Sequence, residues 1–567
     1  MKFRFKLSTR QSFYLYGFVF CLASILITGY AVYIENQALQ IPLVHWINNP
    51  SLYPHDPFAE TLRYYASPLW YLVAFVSRFV SLEPLLFSFF VLERLLVIFA
   101  AGYLAYTFAP QSKLAVVGSM AVFALGLAGP TLGGNQLVIN YFEQTGLAIP
   151  FFLLAFAAFY KKKVWLVAVW LGIGFNCNSM FGVYALTYLG AVFILDANYR
   201  SQWQKWLLSF GLFLLLASPA ILLTFLAFGR KVTNENLWYI ASKVRFPHHL
   251  FPLSWNKVEF GKYGVIIALL IAFLYQNKSQ FQQLFKNCTI WAGVSLLWLL
   301  YAFIAAYVAK SPSMLVMHPG RGLTLWYGVA SIALISVCAV RLEVTRGSQR
   351  RAFLTGVFIA SILIWHPIIG PYLLAVGLMA LALQPVWYWL LDRGNSNRLA
   401  LLLALWVFSL GLLQVVENWK NTGNLIGVIS NRPPANIEKI ALWSKENTAI
   451  DAVFLVDYSL GWQQFRAQSQ RPVFMNWKDG SAILWDRPFI EPWVERLNAI
   501  GLDITQKNLT LSKAVNKINK LYQQLQDRDV KNLKLRYKLD YWVVPVQHPS
   551  QLPVVFQNQA FKVLRLK

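Results

Sequence analysis

The chain has 567 residues, of which 57% are hydrophobic and only 13% are charged, and its mean hydropathy is +0.48. Soluble proteins carry about 25% charged residues, so this composition excludes a soluble enzyme, a nucleic-acid-binding protein, a disordered scaffold and a secreted disulfide module. The net charge of +26 lies largely in short loops between apolar runs, where it reports membrane orientation. The sequence therefore predicts a polytopic α-helical membrane protein.

Apolar runs near the length needed to cross a bilayer, about 20 residues, predict about thirteen membrane spans. Their approximate cores are 12–33, 84–108, 114–129, 147–160, 164–176, 183–195, 207–228, 263–276, 289–309, 322–340, 353–365, 372–390 and 399–416. The first run is too long for a signal peptide and lacks a small-residue cleavage site, which predicts an uncleaved span.

Basic residues mark every second loop between these runs, as in the sequence Lys161-Lys162-Lys163. The intervening loops 130–146, 177–182 and 366–371 contain no Lys or Arg. Because positive loops stay on the cytoplasmic side, the N-terminus is predicted to be cytoplasmic. An odd number of spans then places the chain after Glu417 on the outer face.

Two loops on the predicted outer face are much longer than the usual helix connection. The first long loop (residues 34–83) includes the apolar stretch 69–80, which is too short to span and indicates a helix lying along the outer leaflet. The second long loop (residues 229–262) is polar and basic. Neither loop is expected to be a simple connector.

The composition changes after the last apolar run, which divides the chain into a transmembrane domain (1–416) and a soluble extracytoplasmic α/β domain (417–567). Hydrophobic periodicity predicts helices at 436–447, 488–500 and 510–526 and strands at 452–457, 541–546, 553–557 and 561–566. All four cysteines lie in or beside apolar runs of the first domain, and their spacing predicts neither a disulfide framework nor a metal site.

Asp56 is the most prominent acidic candidate, because it stands in the sequence Pro54-His55-Asp56-Pro57 of the first long loop. Proline on both sides restricts the backbone and fixes the direction of the carboxylate. A fixed carboxylate can accept a proton from a hydroxyl or bind a cation. The alternative is that Asp56 caps the turn or the helix that follows.

Other acids lie near the predicted outer face or within a span. Glu143 is the one charged residue of the loop 130–146, and Glu35 follows the first span directly. Glu93 lies beside Arg94 inside the second predicted span, where charges usually face a cavity or a partner. Structural pairing with other helices and a substrate role are both open for that pair.

Basic candidates for holding a phosphate group lie in the loops predicted to face outward and in the external domain. They are His55, Arg245, His248, His249, His318, Arg321, Arg466, Arg471 and Lys478. Arginine binds phosphate through two parallel hydrogen bonds, and histidine can donate or exchange a proton. The alternatives are anchoring to lipid headgroups for the loop residues and ordinary surface packing for the external ones, which alternate with aromatic residues.

The layout resembles the GT-C superfamily of membrane glycosyltransferases, which use polyprenyl-phosphate-linked sugars. The segment Leu52-Tyr53-Pro54-His55-Asp56-Pro57-Phe58, the segment Arg245-Phe246-Pro247-His248-His249 and the external stretch around Phe465-Arg466 and Arg471-Pro472 are also similar to a bacterial set with GT-C-like organisation. The resemblance implies that Asp56 is the first-loop acid, with Glu35 as its competitor, and that Glu143 is a second acid. Many GT-C enzymes have an acid pair in the first loop, but here Asn36 follows Glu35. No cofactor is therefore assigned, and a divalent cation is left open.

The resemblance implies an enzyme of the bacterial cytoplasmic membrane that moves a sugar from a polyprenyl-phosphate donor to a glycan, lipid or protein acceptor on the outer face. Membrane lipids are expected partners, and nucleic acid is not. Three alternatives remain: an O-antigen ligase- or polymerase-like enzyme that uses Arg and His, a non-catalytic GT-C-like scaffold, and a lipid or glycan transporter. The absence of a sequence repeat places the transporter last.

Overall fold

In a computed structural model the chain is mostly helical, with a small sheet near its C-terminal end. The structure describes residues 9–125, 131–228, 234–345, 348–363 and 434–566, together with residues 230, 232, 404, 405 and 416. Helices before residue 364 are α1 (Thr9–Thr28), α2 (Gln37–Asn48), α3 (Pro57–Thr61), α4 (Pro68–Val76), α5 (Leu82–Phe108), α6 (Lys113–Ala124), α7 (Gln144–Tyr160), α8 (Val164–Cys177), α9 (Ser179–Leu195), α10 (Ala197–Arg200), α11 (Trp203–Phe228), α12 (Glu235–Arg245), α13 (Pro247–Leu250), α14 (Lys257–Gln276), α15 (Gln282–Phe303), α16 (Pro312–Leu315), α17 (Pro319–Val344) and α18 (Ser348–Leu363). Short 3₁₀ turns lie at Leu62–Tyr64 and Pro252–Ser254, and a π-helical turn at Ile304–Val308 continues α15.

Six helical segments in the described part of the chain are long and apolar enough to cross a membrane. They are Gln11–Thr28, Leu82–Phe108, Trp203–Leu226, Lys257–Gln276, Gln282–Val308 and Pro312–Val344. Shorter apolar helices accompany them, and the chain is a multi-pass membrane protein. The predicted cores from 12–33 through 353–365 each coincide with a helix, whereas 372–390 and most of 399–416 lie outside the described residues. The number of thirteen spans therefore stays a prediction.

Helix α17 occupies the centre of the bundle. It packs against α6, α14 and α15, and 94% of its apolar membrane-spanning stretch is buried inside the protein. A helix that is apolar or small on all sides is buried on all sides, and α17 fits this rule with residues such as Gly322, Gly328 and Ser331. Its first turn, which begins with Pro319, carries Arg321 to the end of the bundle where the two long loops lie.

The two long loops are folded. The first contains α2, α3, the turn Leu62–Tyr64 and α4, and the second contains α12 and α13. On and after α4, Leu72, Phe75 and Phe79 expose 51%, 56% and 74% of their surface. This exposed apolar face is what a helix on a lipid surface presents, and the predicted position in the outer leaflet stays a prediction.

Residues 434–566, here called the C-terminal region, form helices around a four-stranded sheet. The helices are Ala435–Asn447, Phe465–Ser469, Ile490–Ala499, Leu511–Gln524 and Asp527–Tyr537, with 3₁₀ turns at Leu460–Trp462, Trp477–Leu484 and Arg487–Phe489. The strands are β1 (Phe454–Leu455), β2 (Tyr541–Pro545), β3 (Val554–Gln557) and β4 (Phe561–Arg565) in the order β1-β2-β4-β3. Strand β1 pairs in parallel with β2, and the other pairs are antiparallel.

The predicted helices and strands of the C-terminal region coincide with observed ones, but the helix Asp527–Tyr537 was not predicted. Lys531, Lys534 and Lys538 dominate the pattern of this segment. Only Val530 and Leu533 of this helix are buried, which is too few to give a clear helical period. The predicted boundary after residue 416 falls beside a stretch, 417–433, that lies outside the described residues.

Candidate active site

A cavity of about 1320 Å³ lies where the two long loops meet the loop 130–146 and the C-terminal region. Its charged and histidine lining comprises Glu35, Glu143, Arg245, His248, His249, His318, Arg321, Lys478 and Arg487. All of these except Arg487 are residues that the sequence singles out. Both long loops and the C-terminal region thus contribute to one cavity.

Asp56, the acid that the sequence favours most, lies outside the lining of this cavity. It is buried, and its Oδ2 accepts hydrogen bonds from Nε of Arg466 at 2.6 Å and from the backbone N–H of Val473 at 3.0 Å. Its Oδ1 accepts from the N–H of Phe58 at 3.1 Å and so caps α3. Asp56 thus has the capping geometry of the alternative interpretation, and it also ties the first long loop to the C-terminal region.

Arg466 binds a second carboxylate on its other side. Its Nη1 and Nη2 donate to Oδ1 and Oδ2 of Asp479 at 2.7 and 2.8 Å, and the side chain is 2% exposed. Burial opposes the charged guanidinium, but the charges of Asp479 and Asp56 outweigh it and raise the pKa of Arg466. We call Asp56, Arg466 and Asp479 the Arg466 cluster. It is a buried ion network at an interface, outside the cavity lining.

Glu35 and Lys478 form an ion pair in the cavity wall. Nζ of Lys478 lies 3.0 Å from Oε2 of Glu35, which joins the segment between α1 and α2 to the C-terminal region. The charge of Lys478 lowers the pKa of Glu35, so Glu35 is ionised at neutral pH. Burial lowers the pKa of Lys478, although the charge of Glu35 opposes this shift. The pair brings one negative and one positive charge into the cavity.

Glu143 lies at the start of α7, and its Oε2 accepts a hydrogen bond from Nδ2 of Asn36 at 2.7 Å. Behind it, the buried carboxylate of Glu93 on α5 packs against the first turn of α7. A Cβ at position 146 would lie 2.1 Å from Oε1 of Glu93, so this close approach requires Gly146. Arg94 donates to the carbonyl of Ile139 in the same loop. Arg94 therefore holds the loop that carries Glu143.

Three histidines cluster in the wall of the cavity. The ring centroids of His248 and His249 are 4.0 Å apart, and His318 lies 6.2 Å from His249. Nδ1 of His249 is 2.7 Å from the carbonyl oxygen of Gly133, so Nδ1 carries the proton and Nε2 is left as an acceptor. Gly134 has a φ of +68°, and a Cβ there would lie 3.0 Å from the ring of His248. Glycine is required at this contact.

His248 and His249, which lie outside the membrane-spanning segments, are neutral at physiological pH. Burial lowers the pKa of His248 to about 4, with a further contribution from Arg245, and burial lowers the pKa of His249 well below its usual range. His318 has a left-handed backbone with a φ of +43°, which is costly for a side chain of this size. Among the described residues its Nδ1 has no hydrogen-bond partner. Strain and an unpaired polar atom together are typical of functional sites.

Arg245 links the second long loop to the C-terminal region. Its Nε donates to the carbonyl of Trp477 and its Nη2 to Oγ of Ser481, both at 3.2 Å. Burial lowers the pKa of Arg245 to about 10, which leaves it charged at neutral pH. Arg321 supplies a second guanidinium, whose Nε is buried without a hydrogen-bond partner in the part of the chain that the structure describes. Both arginines line the cavity.

Two other basic candidates lie away from the cavity. His55 is exposed and has a left-handed φ of +64°. Arg471 donates from Nη2 to the carbonyls of Lys445 and Thr448 at 2.6 and 2.7 Å, so it satisfies the C-terminal end of the helix Ala435–Asn447. The structure therefore brings together the acids and bases of the loops with Lys478, and it separates His55, Asp56, Arg466 and Arg471 from them.

The described residues do not form a site for a divalent cation. No three His, Cys, Asp or Glu side chains lie close enough together there to hold a metal ion. Glu35 is paired with Lys478, and Glu143 accepts from Asn36. This donor set does not fit a metal centre.

Several cavity residues were not predicted from the sequence. In the sequence, Asn36 stands where many GT-C enzymes have a second acid. Its role as donor to Glu143 depends on a contact between residues 107 positions apart in the sequence. Tyr458 and Arg487 line the cavity from the C-terminal region. A signal for Tyr458 did exist: the polar sequence Asp457-Tyr458-Ser459 follows β1, and ligands often bind beyond the carboxyl ends of parallel strands.

Comparison with known families and curated proteins gives one partial match. A family model described as a domain of unknown function (DUF6798) matches residues 435–500. No curated protein matches the sequence.

Several solved structures are similar to the chain. The archaeal oligosaccharyltransferase AglB from Archaeoglobus fulgidus, solved with an inhibitory peptide and a dolichol-phosphate, is 11% identical with a TM-score of 0.44 over 95% of this chain and 70% of that one. ArnT from Cupriavidus metallidurans bound to undecaprenyl phosphate is 12% identical with a TM-score of 0.41 over 98% of both chains. The arabinofuranosyltransferase AftD from Mycobacteria is 13% identical with a TM-score of 0.49 over 96% of this chain and 35% of that one. These structural neighbours, at 11–13% identity, include an oligosaccharyltransferase and an arabinofuranosyltransferase.

Proposed function

We propose that this chain is a membrane glycosyltransferase that moves a sugar from a polyprenyl-phosphate donor to an acceptor hydroxyl on the outer face of a bacterial cytoplasmic membrane. The observation that carries the proposal is the cavity, in which two carboxylates face lysine, arginine and histidine side chains. Sugar transfer from a phosphate needs a proton acceptor, a partner for the leaving phosphate and shelter from water. The cavity offers all three beside a set of apolar helices.

The leaving phosphate is assigned to the cationic side of the cavity. Arg245, Arg321, Lys478 and Arg487 supply four positive charges against the two negative charges of Glu35 and Glu143, so the site favours an anion. Arg321 has an unpaired Nε among the described residues, which is a donor available to a phosphate oxygen. Lys478 can exchange its contact with Glu35 for a phosphate oxygen, since a lysine binds phosphate as a mobile point charge.

Glu143 is assigned as the proton acceptor. Glu35 lies beside the cation Lys478 in the unliganded site, whereas the Glu143 carboxylate accepts a hydrogen bond from a neutral amide, Asn36. In the transfer step the acceptor oxygen forms a bond to the anomeric carbon and the bond from that carbon to the phosphate oxygen breaks. The hydroxyl proton passes to Glu143, and the phosphate leaves with the electron pair. Attack from the side opposite the phosphate inverts the anomeric configuration.

A second candidate reaction keeps the same substrates but uses an imidazole. His249 presents Nε2 as an acceptor because Nδ1 is held by the carbonyl of Gly133. This geometry favours the ligase-like alternative, in which arginine and histidine carry the chemistry.

Glu143→Gln separates the two reactions, because it keeps the shape and one acceptor oxygen but removes the charge. Transfer from a lipid-linked sugar, measured in membranes with equal amounts of folded protein, should fall by about 10²–10⁴-fold. Glu60→Gln is the matched control, since Glu60 is exposed on α3 and lies outside the cavity lining. Near-normal transfer by the Glu143 variant would overturn its assignment in favour of the imidazole. No transfer by the unaltered protein from any lipid-linked sugar would favour a scaffold.

A further inference from the structure

One part of the cavity wall carries hydrogen-bonding side chains without formal charge. It is supplied by α2, by the residues after the turn Leu62–Tyr64 and by the starts of α7 and α9. Its polar side chains, here called the Gln40 wall, are Gln40, Tyr65, Gln144, Thr145, Asn178 and Ser179. Among the described residues, no Lys, Arg, His, Asp or Glu within these helices lines the cavity. The charged groups of the site lie beside this wall, beginning with Glu143 directly before α7.

Gln40 differs from the other buried glutamine of α2. Gln37 is 0% exposed, and both ends of its amide are paired, since Nε2 donates to the carbonyl of Phe142 at 3.2 Å and Oε1 accepts from the N–H of Tyr33 at 2.8 Å. Gln40 is 1% exposed, and its Nε2 donates to the hydroxyl of Tyr65 at 3.4 Å. Its Oε1 has no hydrogen-bond partner in the part of the chain that the structure describes.

The half-paired amide of Gln40 points to a ligand. Rotating the amide by 180° would exchange its two ends and still leave one of them unpaired. Buried polar groups normally have partners, because leaving one unpaired is unfavourable. Gln40 lines the cavity and Gln37 does not, so a molecule in the cavity can supply the missing partner.

The groups around Gln40 are held in place by contacts of their own. The ring of Tyr65 makes an edge-to-face contact with Trp485, which also lines the cavity, with ring centroids 4.9 Å apart. Oε1 of Gln144 accepts a hydrogen bond from Nε1 of Trp70 at 2.8 Å. Side chains that are fixed before binding lose less freedom when a ligand arrives. Amides, hydroxyls and an aromatic ring suit a sugar, which has hydroxyl groups at its edge and C–H groups on its faces.

The Gln40 wall lies next to both groups assigned to the transfer step. Burial raises the pKa of Tyr65 to about 12, and among the smaller contributions the charge of Glu143 raises it and the charge of Arg321 lowers it. Both charges therefore act at the Tyr65 hydroxyl. In the proposed transfer Glu143 takes the acceptor proton and Arg321 binds the leaving phosphate, so the sugar that moves lies between them. The wall is thus beside the position of that sugar.

We propose that the Gln40 wall is the subsite for the transferred sugar, that the unpaired end of the Gln40 amide binds a hydroxyl group of this sugar, and that the sugar is uncharged. A hydroxyl can donate or accept, so it suits either end of the amide. A charged substituent would find no counter-ion on this wall, and burying an unpaired charge is costly. The inference rests on the proposed function, because it takes Glu143 and Arg321 as the two sides of the transfer.

The test measures donor binding without turnover, on the full-length protein in lipid nanodiscs and without an acceptor. The probes are farnesyl phosphodiesters of glucose, mannose, galactose, arabinose and N-acetylglucosamine, with glucuronic acid and glucosamine conjugates as charged counterparts. Methyl farnesyl phosphate is the reference, since it has the same phosphate charge and no sugar. At least one neutral conjugate should bind about 10-fold or more tightly than the reference, the effect of one or two net hydrogen bonds. It should also bind more tightly than the charged conjugates.

Two variants test the wall itself. Gln40→Met removes the amide and keeps the length of the side chain, so it should weaken binding of the neutral conjugate about 3- to 10-fold, the effect of one net hydrogen bond. It should leave binding of methyl farnesyl phosphate unchanged, and the melting temperature should not fall, because the lost amide is only half paired. Tyr65→Phe keeps the ring against Trp485 and should weaken the same conjugate by a similar factor.

The matched control is Gln37→Met, the same change one turn earlier on α2 at a residue outside the cavity lining. It removes two hydrogen bonds, so it should lower the melting temperature. The affinity of the folded protein for every probe should stay unchanged. The two glutamine variants should therefore differ in opposite ways, one in sugar binding and the other in stability.

The outcomes separate this inference from the proposed function. Binding of methyl farnesyl phosphate with no tighter binding of any neutral conjugate would overturn the sugar subsite and leave the proposed phosphate site standing. No binding of any farnesyl phosphodiester would overturn the proposed donor site and the inference with it. Preference for a charged conjugate, or an unchanged affinity for the neutral conjugates in Gln40→Met, would overturn the inference alone.

Discussion

Replacing Asp56 by Asn should loosen the attachment of the first long loop to the C-terminal region while leaving the chemistry intact. The carboxylate accepts two hydrogen bonds from Arg466, a short one at 2.6 Å and a long one at 3.3 Å. A hydrogen bond to a charged group contributes about 1.5–3 kcal/mol, so losing one strong and one weak bond should cost roughly 3 kcal/mol. Arg466 keeps Asp479 as its counter-ion, which prevents a larger loss.

The free-energy change can be read as a shift in the melting temperature. For a unit of about 150 residues, 1 kcal/mol corresponds to roughly 2–4 °C, so the melting temperature of the Asn variant in detergent should fall by roughly 6–12 °C. Protease should cut the C-terminal region faster in this variant. Transfer per folded molecule should stay close to that of the unaltered protein, because Asp56 does not line the cavity.

Arg466→Met provides the comparison within the same cluster. It leaves the carboxylates of Asp56 and Asp479 buried without a cation, and breaking a buried ion pair in this way costs about 3–5 kcal/mol. It should therefore destabilise more than Asp56→Asn. The double variant should cost less than the sum of the two single changes by about 1–3 kcal/mol, since the residues share one network.

One result would refute this reasoning. If Asp56→Asn melts at the temperature of the unaltered protein but loses transfer by about 10²–10⁴-fold, the range expected for a general base, then Asp56 acts in catalysis and its ion pair is not its main role. Strict additivity of the Asp56 and Arg466 variants would separately refute the shared network.

Three further outcomes follow from the cavity and the topology. Lys478→Met should weaken pyrophosphate binding about 10- to 100-fold, the effect of one charge-assisted hydrogen bond, and an unchanged affinity in equilibrium binding would remove Lys478 from the phosphate site. Burial lowers the pKa of His248 to about 4, so between about pH 6.5 and 4 the unfolded chain binds a proton that the folded chain does not, and stability should decrease as the pH falls through this window. Thermal melts of His248→Gln should show a shallower pH dependence there, and an identical slope would contradict a neutral buried imidazole. A cysteine placed at Leu535, which is 86% exposed, should react with an impermeant thiol reagent added from outside and one placed at Lys163 should not, and the reverse pattern would invert the predicted topology.

Local sequence patterns determined the helices and most of the strands. Apolar runs near the thickness of a bilayer can only be helices with satisfied backbone groups, so the runs from 12–33 through 353–365 were recognisable without tertiary information. Alternating apolar residues likewise identified the strands Tyr541–Pro545 and Phe561–Arg565. The helix Asp527–Tyr537 was not predicted, because it buries only Val530 and Leu533.

Glu35, Glu143, Arg245 and Lys478 were among the candidates that the sequence singled out, and all four line one cavity. Asp56, the candidate that the sequence favoured most, does not line it. What the sequence left undecided was the partner of each charge.

Tertiary structure decided the role of Asp56. The Pro–His–Asp–Pro sequence fixes the direction of the carboxylate, but whether it meets substrate or Arg466 depends on a contact between residues 410 positions apart. The same holds for Asn36 and Glu143. Local sequence sets backbone conformation and hydrophobic period, whereas the partner of a buried polar group is set by packing between distant segments, and in a buried environment that partner determines whether the group is structural or available for chemistry.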